Sequence, residues 1–176
     1  MDMEVSAELR KPEGSAWVSA METTNTLLGA VLGVIHPPTF DAGVNCIQGI
    51  EQSPEIGKRE NLDQLLKVWT SPCIAGSIIN NRNTPLHRDN GASYGSMDIM
   101  ASVGAFYKAT FTVPSLGYEF LFSSGSVFGL LGRIVPHGAE VEGERMCFAQ
   151  YLRENIFSTL GVDEPEWINI ETILRM

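Results

Sequence analysis

The chain has 176 residues, of which 44% are hydrophobic and 19% are charged, and these values fit one globular domain with an ordinary core. Its 21 acidic and 12 basic residues give a formal net charge of −9. This balance gives no support for a general polyphosphate-binding surface, so we expect any contact with nucleic acid to be local.

The first part of the chain, about 15–70, has apolar residues at helical spacing. The pattern predicts a helix over 15–35, a second helix over 39–50 after a Pro-Pro break, and a short third helix in NLDQLLKVW. We expect these helices to pack on one side of a sheet.

The second part, about 73–160, consists of short apolar segments separated by turn signals. They predict strands in CIAGSIIN, DIMASVGAFY, KATFTVP, YEFLF, SVFGLLGRIV and RMCFAQYLREN. Helices followed by strands indicate the α+β class, and the number of short strands favours a sandwich or barrel. We therefore predict one domain over 1–176 with helices outside a β core.

The three cysteines, Cys46, Cys73 and Cys147, form no CxxC or CxxH pattern. Their odd number and wide spacing argue against a disulfide framework or a structural zinc site, and favour buried thiols in a reducing compartment. The segment 1–14 is too polar for a secretory signal, and no apolar run approaches the roughly 18 residues of a membrane span. These features predict an intracellular, soluble protein.

The segment NRNTPLHRDNGASYG follows the first predicted strand and contains His87 and Asp89. Residues two apart project the same way from an extended strand, so both side chains can reach one metal ion. Two imidazoles and one carboxylate on one face of a metal are typical of non-haem Fe(II) oxygenases. The alternatives are a solvated turn and the catalytic loop of a protein kinase. A kinase needs Asn where this chain has Tyr94, a DFG segment and a longer chain.

Two other histidines, His36 and His137, are candidates for the third ligand. His36 precedes the proline pair near a helix end, whereas His137 follows the apolar run SVFGLLGRIVP, so His137 is the better candidate. An Fe(II) oxygenase that uses 2-oxoglutarate also needs a cation for the distal carboxylate, and the planar, always-charged guanidinium of Arg145 suits it. Arg153, eight positions later and nominally on the same strand face, is the alternative, and a plain surface charge is the other interpretation of Arg145.

Several motifs occur in a fixed order: NRNTPLHRD, PSLG at 114–117, SGS at 124–126, LGRIVPHG at 131–138 and the terminal YLREN. In this order, from about Trp69 to Leu160, the chain resembles the TET/JBP-type 2-oxoglutarate oxygenases expanded in basidiomycete fungi. The resemblance implies a double-stranded β-helix, of the jelly-roll or cupin-like type, with flanking helices.

The resemblance also implies a site and an activity. Catalytic Fe(II) is expected on His87, Asp89 and His137, with 2-oxoglutarate bound by Arg145 and O2 as the second cosubstrate. The implied reaction oxidises 5-methylcytosine to 5-hydroxymethylcytosine and onward, which makes methylated DNA the partner and the nucleus the location. The acidic charge favours an alternative, a 2-oxoglutarate oxygenase acting on a protein or a small molecule. A truncated, catalytically inactive β-helix that serves as a binding module is the third hypothesis.

Overall fold

A computed structural model gives the structure of residues 5–53 and 59–167, with the side chains of 59–61 left undescribed. Four helices come first: α1 (Pro12–Ala20), α2 (Glu22–Ile35), α3 (Pro37–Gln52) and α4 (Arg59–Leu66). The single helix predicted over 15–35 is therefore two helices, bent by 56° at Met21. The proline pair occupies the first turn of α3, where a missing N–H leaves no bond unmade.

Six strands and a final helix follow: β1 (Ala75–Asn80), β2 (Thr84–His87), β3 (Asp98–Val113), β4 (Tyr118–Leu121), β5 (Val127–Leu130), β6 (His137–Tyr151) and α5 (Glu154–Leu160). β3 is one strand where two were predicted, because no turn separates its two apolar segments. β6 begins at His137, well before the predicted start at Arg145. The segment after Tyr151, predicted as a strand end, instead leads into α5.

The long strands β3 and β6 pair antiparallel along most of their length, and the short strands extend this pair. β1 and β2 pair with successive parts of β6, while β5 and β4 pair with successive parts of β3. The register shifts between Phe106 and Lys108, opposite Gly143. Gly143 has φ +114°, and a Cβ there would lie 2.8 Å from the Phe106 Cα, so this position requires glycine.

This irregularity divides the sheet into two halves of four strands each. The first half contains β1, β5 and the parts of β6 and β3 that pair with them; the second half contains β2, β4 and the remaining parts. The halves pack face to face: the ring centroids of Phe111 and Phe128 are 4.6 Å apart, and those of Phe120 and Phe128 are 5.0 Å apart. Each fully buried aromatic ring in this core contributes about 1.5–3 kcal/mol.

The six-stranded antiparallel sheet with its helices confirms the predicted α+β class. It is consistent with the double-stranded β-helix, or jelly-roll, core, although the sheet does not close into a barrel.

The helices cover the outer face of the first half. Leu28 and Leu32 of α2 are buried against Ile99 of β3. A buried hydrogen-bond chain also links the layers: Gln150 Nε2 donates to Asn25 Oδ1 at 2.7 Å, and the Ser71 hydroxyl donates to Gln150 Oε1 at 2.8 Å. The single-domain organisation over all 176 residues stays a prediction.

Across the described ranges no single helix is both long and apolar enough to cross a membrane. α1 and α2 meet those criteria only together, as a bent pair.

Candidate metal centre

The register of β2 and β6 brings two distant histidines together. His87 is the last residue of β2, His137 is the first residue of β6, and the two are direct cross-strand partners. Asp89 follows in the loop after β2, where its N–H donates to the Gly132 carbonyl at 3.0 Å. Strand pairing therefore closes a sequence separation of fifty residues.

The three side chains face one another at distances suited to a shared ion. His87 Nε2 lies 3.3 Å from Asp89 Oδ1, and His137 Nε2 lies 3.4 Å from Asp89 Oδ2. One ligand atom from each residue falls within 4.8 Å of the others. Because metal bonds to His nitrogen and carboxylate oxygen are about 2.0–2.2 Å long, adjacent ligand atoms of one ion lie about 3 Å apart. The donor set fits a metal with two nitrogens and one oxygen.

The main chain fixes which ring nitrogen each histidine offers. His87 Nδ1 lies 2.9 Å from the Pro85 carbonyl, and His137 Nδ1 lies 3.0 Å from the Val135 carbonyl. A nitrogen that donates to a carbonyl carries the ring proton, so Nε2 is left free as the metal ligand. Burial lowers the pKa of His137, which keeps its ring in the neutral form that binds a metal.

A second carboxyl group, Asp98 at the start of β3, supports the aspartate ligand. Burial, and then the charge of Asp89, raise the pKa of Asp98 to about 8. Asp98 therefore carries a proton at neutral pH, and its side chain shares a hydrogen bond with Asp89. Both carboxyl groups abut Gly132, where a Cβ would collide with them. Sequence reasoning missed Asp98; the only signal was an acid at the head of an apolar strand.

A cavity of about 460 Å³ opens beside the three candidate ligands. Four of the chain's twelve basic residues line it, namely Arg82, Arg88, Arg145 and Arg153. The acidic residues in its wall are Asp89 and the protonated Asp98. The cavity is thus strongly cationic although the chain as a whole is acidic.

Arg145 is the buried member of this cationic set, with 4% of its surface exposed. Its Nε donates to the Ser102 hydroxyl at 2.8 Å, and its guanidinium carbon lies 4.7 Å from the centroid of the Phe122 ring. Phe122 contacts Phe111, which stacks on the His137 ring at 5.5 Å between centroids. A permanent cation therefore lies two aromatic rings away from a candidate metal ligand.

Of the two other sequence candidates, His36 lies outside the cavity and Arg153 lines it. His36 joins α2 to α3, and its Nδ1 accepts hydrogen bonds from the N–H and the hydroxyl of Thr39, so it is a helix cap outside the histidine-aspartate cluster. Arg153 is exposed and lies near the Tyr151 ring, 5.6 Å from its centroid.

A larger cavity of about 860 Å³ lies between the helices and β1. Its wall is mostly apolar and contains none of the three candidate ligands. The smaller cavity is therefore the candidate site.

The family model Tet_JBP, the oxygenase domain of the 2OGFeDO superfamily, matches residues 5–154. The chain belongs to this family. The Tet_JBP domain is accordingly a 2-oxoglutarate- and Fe(II)-dependent dioxygenase, and its cofactor set is Fe(II), 2-oxoglutarate and O2. The resemblance found in the sequence is confirmed, and its link to the fungal branch of the family stays a prediction.

Among solved structures, the chain is similar to the hydroxypropylphosphonic acid epoxidase from S. wedmorenis. The match has 10% identity and a TM-score of 0.33, and it covers 46% of this chain and 44% of that chain. So weak a likeness says nothing about the substrate of the Tet_JBP domain. No curated protein matches the sequence.

Proposed function

We propose that the Tet_JBP domain oxidises the methyl group of 5-methylcytosine in DNA. The first product is 5-hydroxymethylcytosine, further oxidised bases follow, and each turnover converts 2-oxoglutarate and O2 to succinate and CO2. The observation that carries the oxidative chemistry is the convergence of His87, Asp89 and His137 with both Nε2 atoms facing the carboxylate. Membership of the Tet_JBP family supports the choice of a methylated base.

His87, Asp89 and His137 would hold Fe(II) from one side and leave its other positions to 2-oxoglutarate and O2. When bound, Fe(II) with the keto acid activates O2 and supplies the oxygen atom that enters the methyl C–H bond. The chain's own part is to fix the three ligands. The Pro85 and Val135 carbonyls orient the imidazoles, and Asp98 restrains the Asp89 carboxylate.

Arg145 is our choice for the residue that binds the distal carboxylate of 2-oxoglutarate. Its guanidinium is held by Ser102 and Phe122 inside the cavity, and across the described residues no acceptor is recorded for its two terminal nitrogens. A planar fork of N–H donors matches a carboxylate, and the surrounding aromatic rings exclude the water that would weaken the pair.

The position of the site sets how a base would reach it. His137 is only 4% exposed, and the cavity volume falls in the range of small-molecule sites, about 300–1,000 Å³. A methyl group inside a stacked duplex would not reach so recessed a centre. The target nucleotide would therefore have to be flipped out of the DNA duplex, at a free-energy cost of a few kcal/mol.

One observation favours a second function. The formal net charge of −9 is unusual for a protein that binds a long stretch of DNA through its phosphates. A 2-oxoglutarate oxygenase that acts on a protein side chain or a small molecule would need no such surface. The inactive binding module has less support, because His87, Asp89 and His137 converge and Arg145 lines the same cavity. Methylated DNA as the partner, and the nucleus as the location, remain part of our proposal.

The test incubates the purified protein with Fe(II), 2-oxoglutarate and O2, and adds methylated or unmethylated DNA. Succinate and the released nucleosides are quantified by mass spectrometry. Methylation-dependent succinate together with 5-hydroxymethylcytosine supports the proposal. Succinate formation that ignores DNA methylation supports the second function. His87→Ala serves as the inactive control, and Lys108→Gln, an exposed residue outside the cavity, serves as the surface control.

A further inference from the structure

A row of β6 side chains extends from the buried end of the cavity to its mouth. Arg145, Cys147, Ala149 and Tyr151 alternate along the strand and line the cavity, and Arg153 continues the same spacing. Arg145 is buried, whereas Arg153 is exposed. The two arginines therefore mark opposite ends of one wall.

The two arginines are well separated along the main chain. Arg145 and Tyr151 are six residues apart on a continuous strand, so their Cα atoms lie about 20 Å apart, and Arg153 lies beyond Tyr151. A five-carbon dicarboxylate is much shorter than this spacing, so a keto acid held by Arg145 lies towards the buried end of the wall. Arg153 is therefore available to a different ligand.

The surroundings place Arg153 beside the metal-binding loop. Arg153 forms an antiparallel bridge with Ala92, and the N–H of Glu154 donates to the Gly91 carbonyl at 3.2 Å. A Cβ on Gly91 would lie 3.4 Å from Arg153 Nη1. Since Gly91 is two residues after Asp89, the guanidinium lies at the mouth of the cavity on the side of the iron ligands.

Arg153 has no acidic partner among the residues that the structure describes. Its neighbour Glu154 pairs instead with Arg133, at 3.7 Å. The guanidinium lies near the Tyr151 ring, and the Tyr151 hydroxyl is 3.1 Å from the Ser77 hydroxyl, so two further polar groups lie in the same wall. Within the described ranges, the N–H donors of Arg153 thus have no recorded acceptor at the cavity mouth.

The net charge of the groups that line the cavity also favours the binding of a second anion. Four guanidinium groups line it, and the acids in its wall are Asp89 and Asp98. Two carboxylates and one doubly charged keto acid would offset the four guanidinium charges. The charge of a bound Fe(II) ion would then remain for an anionic group of the substrate.

We propose that Arg153 is a specificity-determining residue that binds an oxyanion of the substrate at the mouth of the cavity. This inference rests on the proposed function, under which the oxyanion is the phosphate of the nucleotide whose base is oxidised. The guanidinium beside the Tyr151 ring would hold that phosphate while the base lies deeper, towards His137. A local phosphate contact of this kind is compatible with an acidic chain.

The test measures binding to the Fe(II) protein with 2-oxoglutarate, kept free of O2. The probes are 5-methyl-2′-deoxycytidine 5′-monophosphate, the same nucleoside without phosphate, and 2-deoxyribose 5-phosphate, which has no base. We expect the wild type to prefer the monophosphate over the nucleoside by about tenfold or more. Arg153→Gln should abolish this preference and leave the 2-oxoglutarate affinity unchanged. The matched control Lys108→Gln removes one positive charge outside the cavity and should keep the preference.

Each result separates the inference from the proposed function. A phosphate preference that survives in Arg153→Gln overturns the inference, and so does a wild type that binds none of the phosphates. A large loss of 2-oxoglutarate affinity in Arg153→Gln also overturns it, because Arg153 would then belong to the keto acid. If the sugar phosphate binds as well as the nucleotide and both are lost in Arg153→Gln, the subsite stands and the proposed base substrate fails.

Discussion

The assignment of Arg145 can be tested by replacing it and measuring the affinity for 2-oxoglutarate. The guanidinium offers two charge-assisted hydrogen bonds to one carboxylate from a position that is only 4% exposed. Each such bond contributes about 1.5–3 kcal/mol, so losing both costs about 3 kcal/mol or more. This corresponds to an increase of about 150-fold in the Kd of 2-oxoglutarate for Arg145→Gln. Arg145→Lys keeps the charge but not the fork, and we expect an intermediate increase.

The assay titrates 2-oxoglutarate into the Fe(II) protein without O2 and follows the visible absorbance of the iron–keto acid complex. Arg153→Gln is the matched control, because it removes the same kind of side chain from the mouth of the same cavity. Thermal unfolding of each variant checks that the fold is intact, since Arg145 also packs on Phe122. An unchanged Kd in a folded Arg145→Gln protein would refute the assignment and the reasoning behind it.

Three further predictions concern the surroundings of the metal centre and the helical layer. Gly132→Ala should weaken Fe(II) binding by about 10–100-fold, as measured by metal titration, because the added methyl collides with the carboxyl groups of Asp89 and Asp98. Asp98→Asn should make the metal-free protein progressively more stable than the wild type between about pH 4 and 8 in urea unfolding. The raised pKa means that folded Asp98 retains a proton which the unfolded chain releases, so the wild type loses stability as pH rises through that window. His36→Asn should keep the cap on Thr39 and reduce the loss of stability below about pH 6.5, measured as Tm at two pH values. Burial lowers the pKa of folded His36, so its contribution is present above the ordinary pKa and is lost as pH falls. An Asn variant with the same pH dependence as the wild type would contradict this.

The convergence of His87, Asp89 and His137 was predictable because it depends on short-range sequence signals. His87 and Asp89 lie two positions apart at a strand end, and the strand-like run before His137 distinguished it from His36. The pairing register of β2 and β6 then brings the two histidines together, because His87 and His137 are direct cross-strand partners. Arg145 was chosen as an arginine at the start of the last predicted strand, and the structure places it in the wall of the same cavity; its role stays a prediction.

Features that depend on burial or on the main chain were not predictable. Asp98 occurs at the start of an apolar segment, and only the fold shows that its carboxyl group and that of Asp89 both lie against Gly132. The two carbonyls that set the histidine tautomers carry no sequence signal at all. β3 was divided into two strands because its bulge near Lys108 interrupts the apolar alternation without ending the strand.

The exposed arginines illustrate the same limit. Arg82 and Arg88 lie six positions apart, Arg153 is far from both in sequence, and all three resemble ordinary surface charges. The fold gathers them around one cavity with Arg145. The net charge of −9 predicts that any anion contact is local, but it cannot reveal where the cations collect.

The most direct test of the central claim is the stoichiometry of Fe(II) binding without O2, in the wild type and in single variants of the three ligand residues. We expect one Fe(II) per chain in the wild type and loss of binding in His87→Ala, Asp89→Ala and His137→Ala. His36→Asn, which removes the remaining histidine, should bind one Fe(II) as the wild type does. Full Fe(II) binding by a folded His87→Ala or His137→Ala protein would contradict the account.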